Sequence, residues 1–190
     1  MNFPILQSQN TSLIDFIIYW SRLYNYTNEE LYDNCIIKNT YAEDDIRSMF
    51  IWKNGMKLSI GKQKSLEEKI ISKISYINKL KSQPSWSIES LNTEFKNVSF
   101  VWRIFVLHII KPYEIPIYDQ NVHRTYNFIH YKDIINVSEQ LTGTVKESFY
   151  FDEYYPFIKS IEGTTLRQID KAFFTFGQFI NSQNYLKLIQ

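Results

Sequence analysis

The chain has 190 residues, 44% of them hydrophobic and 17% aromatic, which is enough apolar matter to bury a core and too much for a disordered chain. Five glycines and five prolines leave few tight turns for a many-stranded β sandwich. A formal charge of +1 gives no global positive field, so nucleic-acid binding would have to rest on a local patch. The single cysteine, Cys35, excludes a disulfide framework, a cysteine-based zinc site and a four-cysteine iron–sulfur cluster within one chain.

Residues 1–10 lack a basic stretch followed by a long apolar one, so they do not read as a secretory signal. No apolar run approaches the ~18 residues a membrane span needs, and the expectation is a soluble, cytoplasmic protein. Thr11 and Ser12 can cap a first helix with Leu13, Phe16, Ile17 and Trp20 on one face. Thr27 to Glu30 reads as a capping box opening a second helix through Ile37, in which Cys35 lies beside Leu31 and Ile36 as a core thiol. A third helix is expected from about Glu43 to Lys53, stopped by Asn54-Gly55. After a linker from Met56 to Lys64, a second capping box at Ser65 to Glu68 predicts an amphipathic helix carrying Ile70, Ile74, Ile77 and Leu80 and ending before Pro84. The stretch from Lys62 to Lys81 holds six lysines against Glu67 and Glu68; it is a solvated helix face or a flank for phosphates.

Trp86 to Leu91 looks like a short capped helix, and Phe95 to Ser99 like a turn. Phe100 to Ile110 is apolar nearly all round and is expected to be the buried central helix, ended by Lys111-Pro112. A further helix should run from Val122 to about His130, with Gly143 breaking the loop beyond it. Val145 to Ile161, interrupted by Pro156, predicts two short helices. The last helix starts at Thr164 or Thr165 and buries Leu166, Ile169, Phe173, Phe176 and Ile180. Gly177 inside it costs about 1 kcal/mol in helix propensity, which a close helix contact would account for. Arg167 and Asp170, one turn apart, read as an ion pair. The fold class is all-α: a compact multi-helix domain over 1–190, or two lobes, about 1–84 and 85–190, sharing the termini around a cleft.

The chain is organised around Ile115 to Arg124, Ile-Pro-Ile-Tyr-Asp-Gln-Asn-Val-His-Arg. Pro116 disfavours helix at Ile115 and has no N–H to donate, so the chain there should be extended. Asp119 stands where an N-cap is wanted, its carboxylate facing the free N–H groups and positive end of the next helix. N-capping alone also accounts for an aspartate at that position.

The residues Pro116 to Arg124 resemble the proline/apolar–Asp–x–x–Val/Ile–x–Arg element of the helix-hairpin-helix base-excision DNA glycosylases, the family of endonuclease III and the 8-oxoguanine glycosylases. The resemblance implies that Asp119 is the catalytic carboxylate, with Val122 and Arg124 matching the positions after it. It places the family's phosphate-gripping Leu-Pro-Gly-Val-Gly hairpin on Phe95 to Ser99. There Phe95 and Val98 keep the apolar positions, Lys96 replaces the proline, and Asn97 and Ser99 replace the glycines. The nucleophilic lysine of bifunctional members falls on Val101, between Phe100 and Trp102, and none of these is an amine. The resemblance therefore implies either a monofunctional carboxylate mechanism or no glycosylase activity, with double-stranded DNA as partner and no cofactor.

In such an enzyme Asp119 would stabilise the sugar cation and orient water. Lys96, Asn97 and Ser99 would touch phosphate, assisted by Arg103 and Arg124. Trp102 and Tyr118, with Trp52 and Trp86, are the aromatic pocket candidates; both Trp52 and Trp102 can equally be core, and Arg124 can serve local structure. His108, His123 and His130 raise a metal reading, since Asp119 and His123 share a helix face, but no third ligand stands at a diagnostic spacing, and no metal is expected. No Gly-rich phosphate loop, Gly-x-Ser-x-Gly elbow or His-Glu-x-x-His helix is present in the sequence. The alternative function is a non-enzymatic helical protein that binds DNA or a protein partner on the same scaffold.

Overall fold

The computed structural model describes residues 11–131 and 142–181; the N-terminal stretch read for a secretory signal lies outside them. The architecture is all-α, with no strand among the described residues. Helix α1 (Leu13–Arg22) is capped by the Ser12 side chain, which accepts from the Asp15 N–H, and packs on the last helix, α11 (Leu166–Ile180). Helix α2 (Glu30–Ile36) pairs with α3 (Glu43–Asn54), and α3 stops at Gly55, whose φ of 73° gives the expected left-handed cap.

Central helix α7 (Phe100–Ile110) has the predicted bounds and is buried over nine of its residues, because nearly every face of it is apolar. Helices α5 (Ile74–Ser82) and α6 (Ile88–Glu94) flank it. Helix α8 (Gln120–Tyr131) follows the extended segment and packs against α11.

Three local expectations are corrected. The Thr27 capping box does not form: Asn28 takes a left-handed φ of 62°, and no side chain caps α2. The helix expected from Ser65 begins earlier, as α4 (Ile60–Lys69), because Ser59 caps it. It then bends at Ile70 through a 3-10 turn (Ile71–Lys73) into α5, which lets Leu66, Ile70, Ile71 and Ile77 all reach the core. Finally, the segment with Pro156 is a continuous coil of α9 (Gly143–Ser148), a π-helical stretch (Phe149–Tyr154) and α10 (Tyr155–Lys159). Pro156 falls in the first turn of α10, directly after the π-helical stretch, and Gly143 opens α9 behind the Thr142 cap.

Four of the six lysines of the lysine-rich stretch have polar partners. Lys62 donates to the side-chain Oδ1 of Asn54 at 2.5 Å, Lys64 pairs with Glu68, and Lys73 reaches Glu94 at 2.6 Å. Lys81 is tucked against the Ile36 and Ile109 carbonyls at the ends of α2 and α7 and against the Tyr41 hydroxyl; burial, with Lys111 nearby, lowers its ammonium to about 8.

Gly177 has a specific cause. A Cβ there would lie 2.1 Å from the Asn121 backbone oxygen, so α11 crosses the first turn of α8 backbone to backbone. Gly177→Ala should therefore cost about 2–3 kcal/mol in urea unfolding, since the obstacle is main chain and cannot swing away. An unchanged or raised midpoint would show that this crossing is loose.

Candidate active site

The extended segment between α7 and α8 cannot satisfy its carbonyls with regular structure, and it is buried: Ile115, Ile117 and Tyr118 are each at most 3% exposed. Side chains supply the missing donors. His108 on α7 donates from Nδ1 to the Ile115 carbonyl at 2.6 Å. Tyr150 donates to the Pro116 carbonyl at 2.8 Å, and Tyr154 to the Ile117 carbonyl at 3.4 Å. Both tyrosines come from the π-helical stretch, a rare local geometry that here directs two hydroxyls onto one strap of backbone.

Because the Ile115 carbonyl can only accept, the His108 proton is on Nδ1, and Nε2 accepts the Tyr32 O–H at 2.7 Å. Burial lowers the His108 imidazole to about 3, so it is neutral and purely structural.

The strap delivers Asp119 to the start of α8 as an N-cap. Its Oδ1 accepts from the Asn121 and Val122 N–H groups at 2.8 and 3.1 Å. Its Oδ2 is turned the other way and lies 3.5 Å from Lys53 Nζ, contributed by the last turn of α3. One oxygen thus fixes the carboxylate, the other faces Lys53, and both residues border open space.

That space is a cleft of about 430 Å3 bordered by Lys53, Val101, Asp119, Lys146 and Phe174 among others. A narrower recess of about 50 Å3 continues inward beside Asp119, walled by Tyr24, Tyr26, Trp52 and Phe174 and floored by Arg167 and Asp170. Aromatic faces around a few convergent charges are the composition of a small-molecule pocket. The floor is electrostatically dense. Glu29 accepts from Tyr24 and Trp52 at 2.8 and 2.9 Å and pairs with Arg167 and, at 3.3 Å, with Lys171. Burial opposes its ionisation, but Arg167 and these hydrogen bonds hold the Glu29 carboxyl below its usual range. This engagement explains why Glu29 is not spent on capping α2.

Asp170 bonds Arg167 at 3.1 Å through one oxygen, as the sequence predicts; the other finds no partner among the described residues. Burial, reinforced by the Asp119 charge against the opposing pull of Arg167 and Lys53, leaves the Asp170 carboxyl raised to about 6.

The sequence-predicted residues divide. Asp119 and Tyr118 border the cleft, Tyr118 as a wall that shares a 2.6 Å hydrogen bond with His123 Nδ1. Val101, the position counted for the family's lysine, borders it too. Lys96, Asn97 and Ser99 are exposed on the turn before α7, above the buried Phe95 and Val98. Asn97 does not take a positive φ, so the turn closes through Val98 N–H to the Phe95 carbonyl at 2.9 Å without the glycine conformation.

Arg103 is buried and bonds Glu147 at 2.5 Å, and Arg124 is buried with Nη1 on Asn121 Oδ1 at 2.8 Å. As placed, both are structural and neither presents its guanidinium as an exposed phosphate contact. Trp102 packs edge-on against Phe50, with ring centroids 4.9 Å apart, and does not border the cleft; Trp86 lies elsewhere, bonded to Glu114. Trp52 is both core and recess wall, stacked on Tyr32 at 4.4 Å.

His123 stacks on Phe149 at 3.8 Å, and burial lowers its ring to about 4. Among the described residues no group of three His, Cys, Asp or Glu side chains could hold a metal, and no helix is long and apolar enough to cross a membrane.

Sequence reasoning missed Lys53, Tyr26, Phe174 and Lys146. Only the position of Lys53 beside a helix-stopping glycine carries any local signal. Compared with protein-family models, curated proteins and solved structures, the chain matches none.

The neutral, buried His108 makes a pH prediction. Its folded-state value lies below the unfolded one near 6.5, so its contribution is complete above pH 6.5 and is lost as pH falls from there. Asp170, raised to about 6, acts with the opposite sign, losing stability as pH rises through 4 to 6, so the comparison must be made between variants. His108→Asn should lower stability at pH 8 and flatten its acid dependence between pH 6.5 and 4 by about 1 kcal/mol per pH unit, measured by urea titration. An acid slope equal to that of the unmutated protein would exclude this role.

Proposed function

We propose that this protein cleaves the N-glycosidic bond of a base extruded from duplex DNA, with Asp119 as the catalytic carboxylate. The observation that carries the reading is the division of labour within that carboxylate. Oδ1 is locked by two helix N–H groups and Oδ2 faces Lys53, in a residue that borders the cleft, so the charge is fixed before substrate arrives.

As the bond to the base breaks, the sugar becomes an oxocarbenium-like cation, and a fixed anion beside it lowers the barrier. The same oxygen can accept a proton from the attacking water. The cleft, bordered by Tyr26, Tyr118 and Phe174, gives an extruded base aromatic side chains to lie against, which compensates its lost stacking. The exposed turn bearing Lys96, Asn97 and Ser99 lies at the start of α7, one turn before Val101 at the cleft, and serves as the phosphate contact. DNA binding and repair chemistry follow from this reading together.

A second reading, a DNA- or protein-binding module without catalysis, draws on one observation: the 95–99 turn lacks the left-handed backbone of a bare phosphate cradle. A salt titration of duplex binding separates its two forms, because phosphate contacts give a steep salt dependence and a protein-binding surface gives none.

The test is base release from oligonucleotide duplexes carrying a panel of oxidised, alkylated and deaminated bases. Asn keeps the cap of α8 but takes the carboxylate from the buried Lys53, so Asp119→Asn should lower release by about 10²–10³-fold when assayed below its own melting transition, where circular dichroism shows it folded. Release that survives this substitution, or an unmutated protein inert on the whole panel, would remove the catalytic reading.

A further inference from the structure

We propose that Tyr118 and His123 form a redox pair in the wall of the cleft, Tyr118 giving one electron to a small inorganic radical anion while its phenol proton moves to His123. The inference stands apart from the base-excision reading and is tested without DNA.

A phenol that loses an electron becomes a strong acid, so its oxidation is fast only where a positioned base takes the proton. The buried tyrosines around the strap differ in that respect. Tyr150 and Tyr154 donate to the Pro116 and Ile117 carbonyls, which accept a hydrogen bond and do not take the proton. Tyr118 Oη instead lies 2.6 Å from His123 Nδ1. That hydroxyl has no second partner among the described residues, so its hydrogen lies on this bond, Nδ1 is the bare acceptor, and Nε2 carries the ring proton. Burial and the Asp119 charge push the Tyr118 phenol up, so it keeps its proton until an electron leaves. Burial, with Lys146 and Arg124 nearby, lowers the His123 ring to about 4, which leaves it neutral and able to accept. An oxidised phenol is acidic enough to protonate even so weak a base.

The surroundings shelter a radical. Tyr118 and His123 are 2% and 5% exposed, and the Phe100, Phe149, Tyr150 and Tyr154 ring centroids lie 5.5–6.2 Å from that of Tyr118. These walls keep out a second radical that would quench the first by coupling. Phe149 lies flat on His123 at 3.8 Å, a face that favours the imidazolium once formed. Tyr118 and His123 both border the cleft, and so do Lys53 and Lys146, cations that draw an anion inward.

Two other tyrosines have a proton acceptor but not this setting. Tyr32, bonded to His108 Nε2 at 2.7 Å, does not border the cleft and carries the Arg167 guanidinium 4.6 Å from its ring centroid, a charge that opposes electron loss. Tyr24 donates to Glu29 but has Arg167 at 5.4 Å and Lys171 at 5.0 Å against its ring.

The step balances with the named oxidant. One electron leaves the Tyr118 ring for the radical anion, which is reduced to closed-shell anions. The Oη–H bond breaks, and its proton forms the Nδ1–H bond of His123, leaving a neutral phenoxyl radical beside an imidazolium.

The experiment delivers a substoichiometric pulse of dibromide radical anion, reduced in the step to two bromide ions, to the protein by pulse radiolysis. The phenoxyl radical is followed by its absorption and by electron spin resonance of rapidly frozen samples. The expected result is a phenoxyl signal that outlasts those of exposed tyrosines, forms more slowly in heavy water, disappears in Tyr118→Phe and remains in Tyr150→Phe and Tyr32→Phe. His123→Phe keeps a ring on Phe149 and removes the base, so it should slow formation of the signal by about 100-fold. Circular dichroism at the assay temperature shows which variants are folded, and the heavy-water rate reads the proton step without any variant. A lasting signal that survives in Tyr118→Phe, an unmutated protein whose phenoxyl radicals all decay as fast as those of free tyrosine, or formation that is equally fast in heavy water or in His123→Phe overturns the assignment.

Discussion

Four residues of extended chain, Ile115 to Tyr118, carry the site, and their burial is the constraint on which the surrounding structure depends. Buried peptide carbonyls outside helix or sheet each cost on the order of 1–3 kcal/mol if left unpaired. Here His108, Tyr150 and Tyr154 meet three in succession. These donors come from opposite directions, one from the central helix and two from the π-helical stretch, so the strap is held between two elements far apart in sequence. Tyr32 in turn donates to the free Nε2 of His108. Removing Pro116's restriction or any of these donors would loosen the approach to Asp119 before touching the carboxylate itself.

The position of Asp119 is set a second time from the other side. The missing Cβ at Gly177 lets α11 lie against the backbone of Asn121, one of the two residues whose N–H groups hold Oδ1. The same helix brings Phe174, Arg167 and Asp170 to the recess. Glu29, Arg167, Lys171 and Asp170 then form a partly buried charge network beneath the cleft. Such networks contribute little net stability after desolvation, and they penalise alternative packings strongly, because any shift leaves a charge unpaired. Asp170 shows the tension: its second oxygen has no described partner, and its carboxyl is held well above the usual range.

Much of this fold was legible because helix signals are local. Phe100 to Ile110 announces a buried helix by being apolar on every face, and Lys111-Pro112 closes it; Pro116 followed by Asp119 announces an extended strap and a cap. The Gly177 contact was legible as a cost needing a cause, though its partner was not. The errors arose where two local signals competed or a residue was recruited from afar. Ser59 and Ser65 are both competent caps, and burial of Leu58 and Ile70 favours the first. Glu29 and Arg103 were drawn into ion pairs with residues 138 and 44 positions away, which no periodicity reports. Lys53 lies 66 residues from Asp119, so the meeting of amine and carboxylate belongs wholly to the tertiary structure.

The central claim is that Asp119 presents a preorganised negative charge to a cation developing in the cleft. Paired equilibrium titrations test it most directly, comparing one duplex bearing a cationic pyrrolidine in place of the target sugar with another bearing the neutral tetrahydrofuran analogue. An anion fixed beside the cation should make the pyrrolidine duplex bind at least about tenfold more tightly, roughly 1.4 kcal/mol, with the preference abolished in Asp119→Asn. Equal affinities for the two duplexes, or a preference that persists in the variant, would contradict the account.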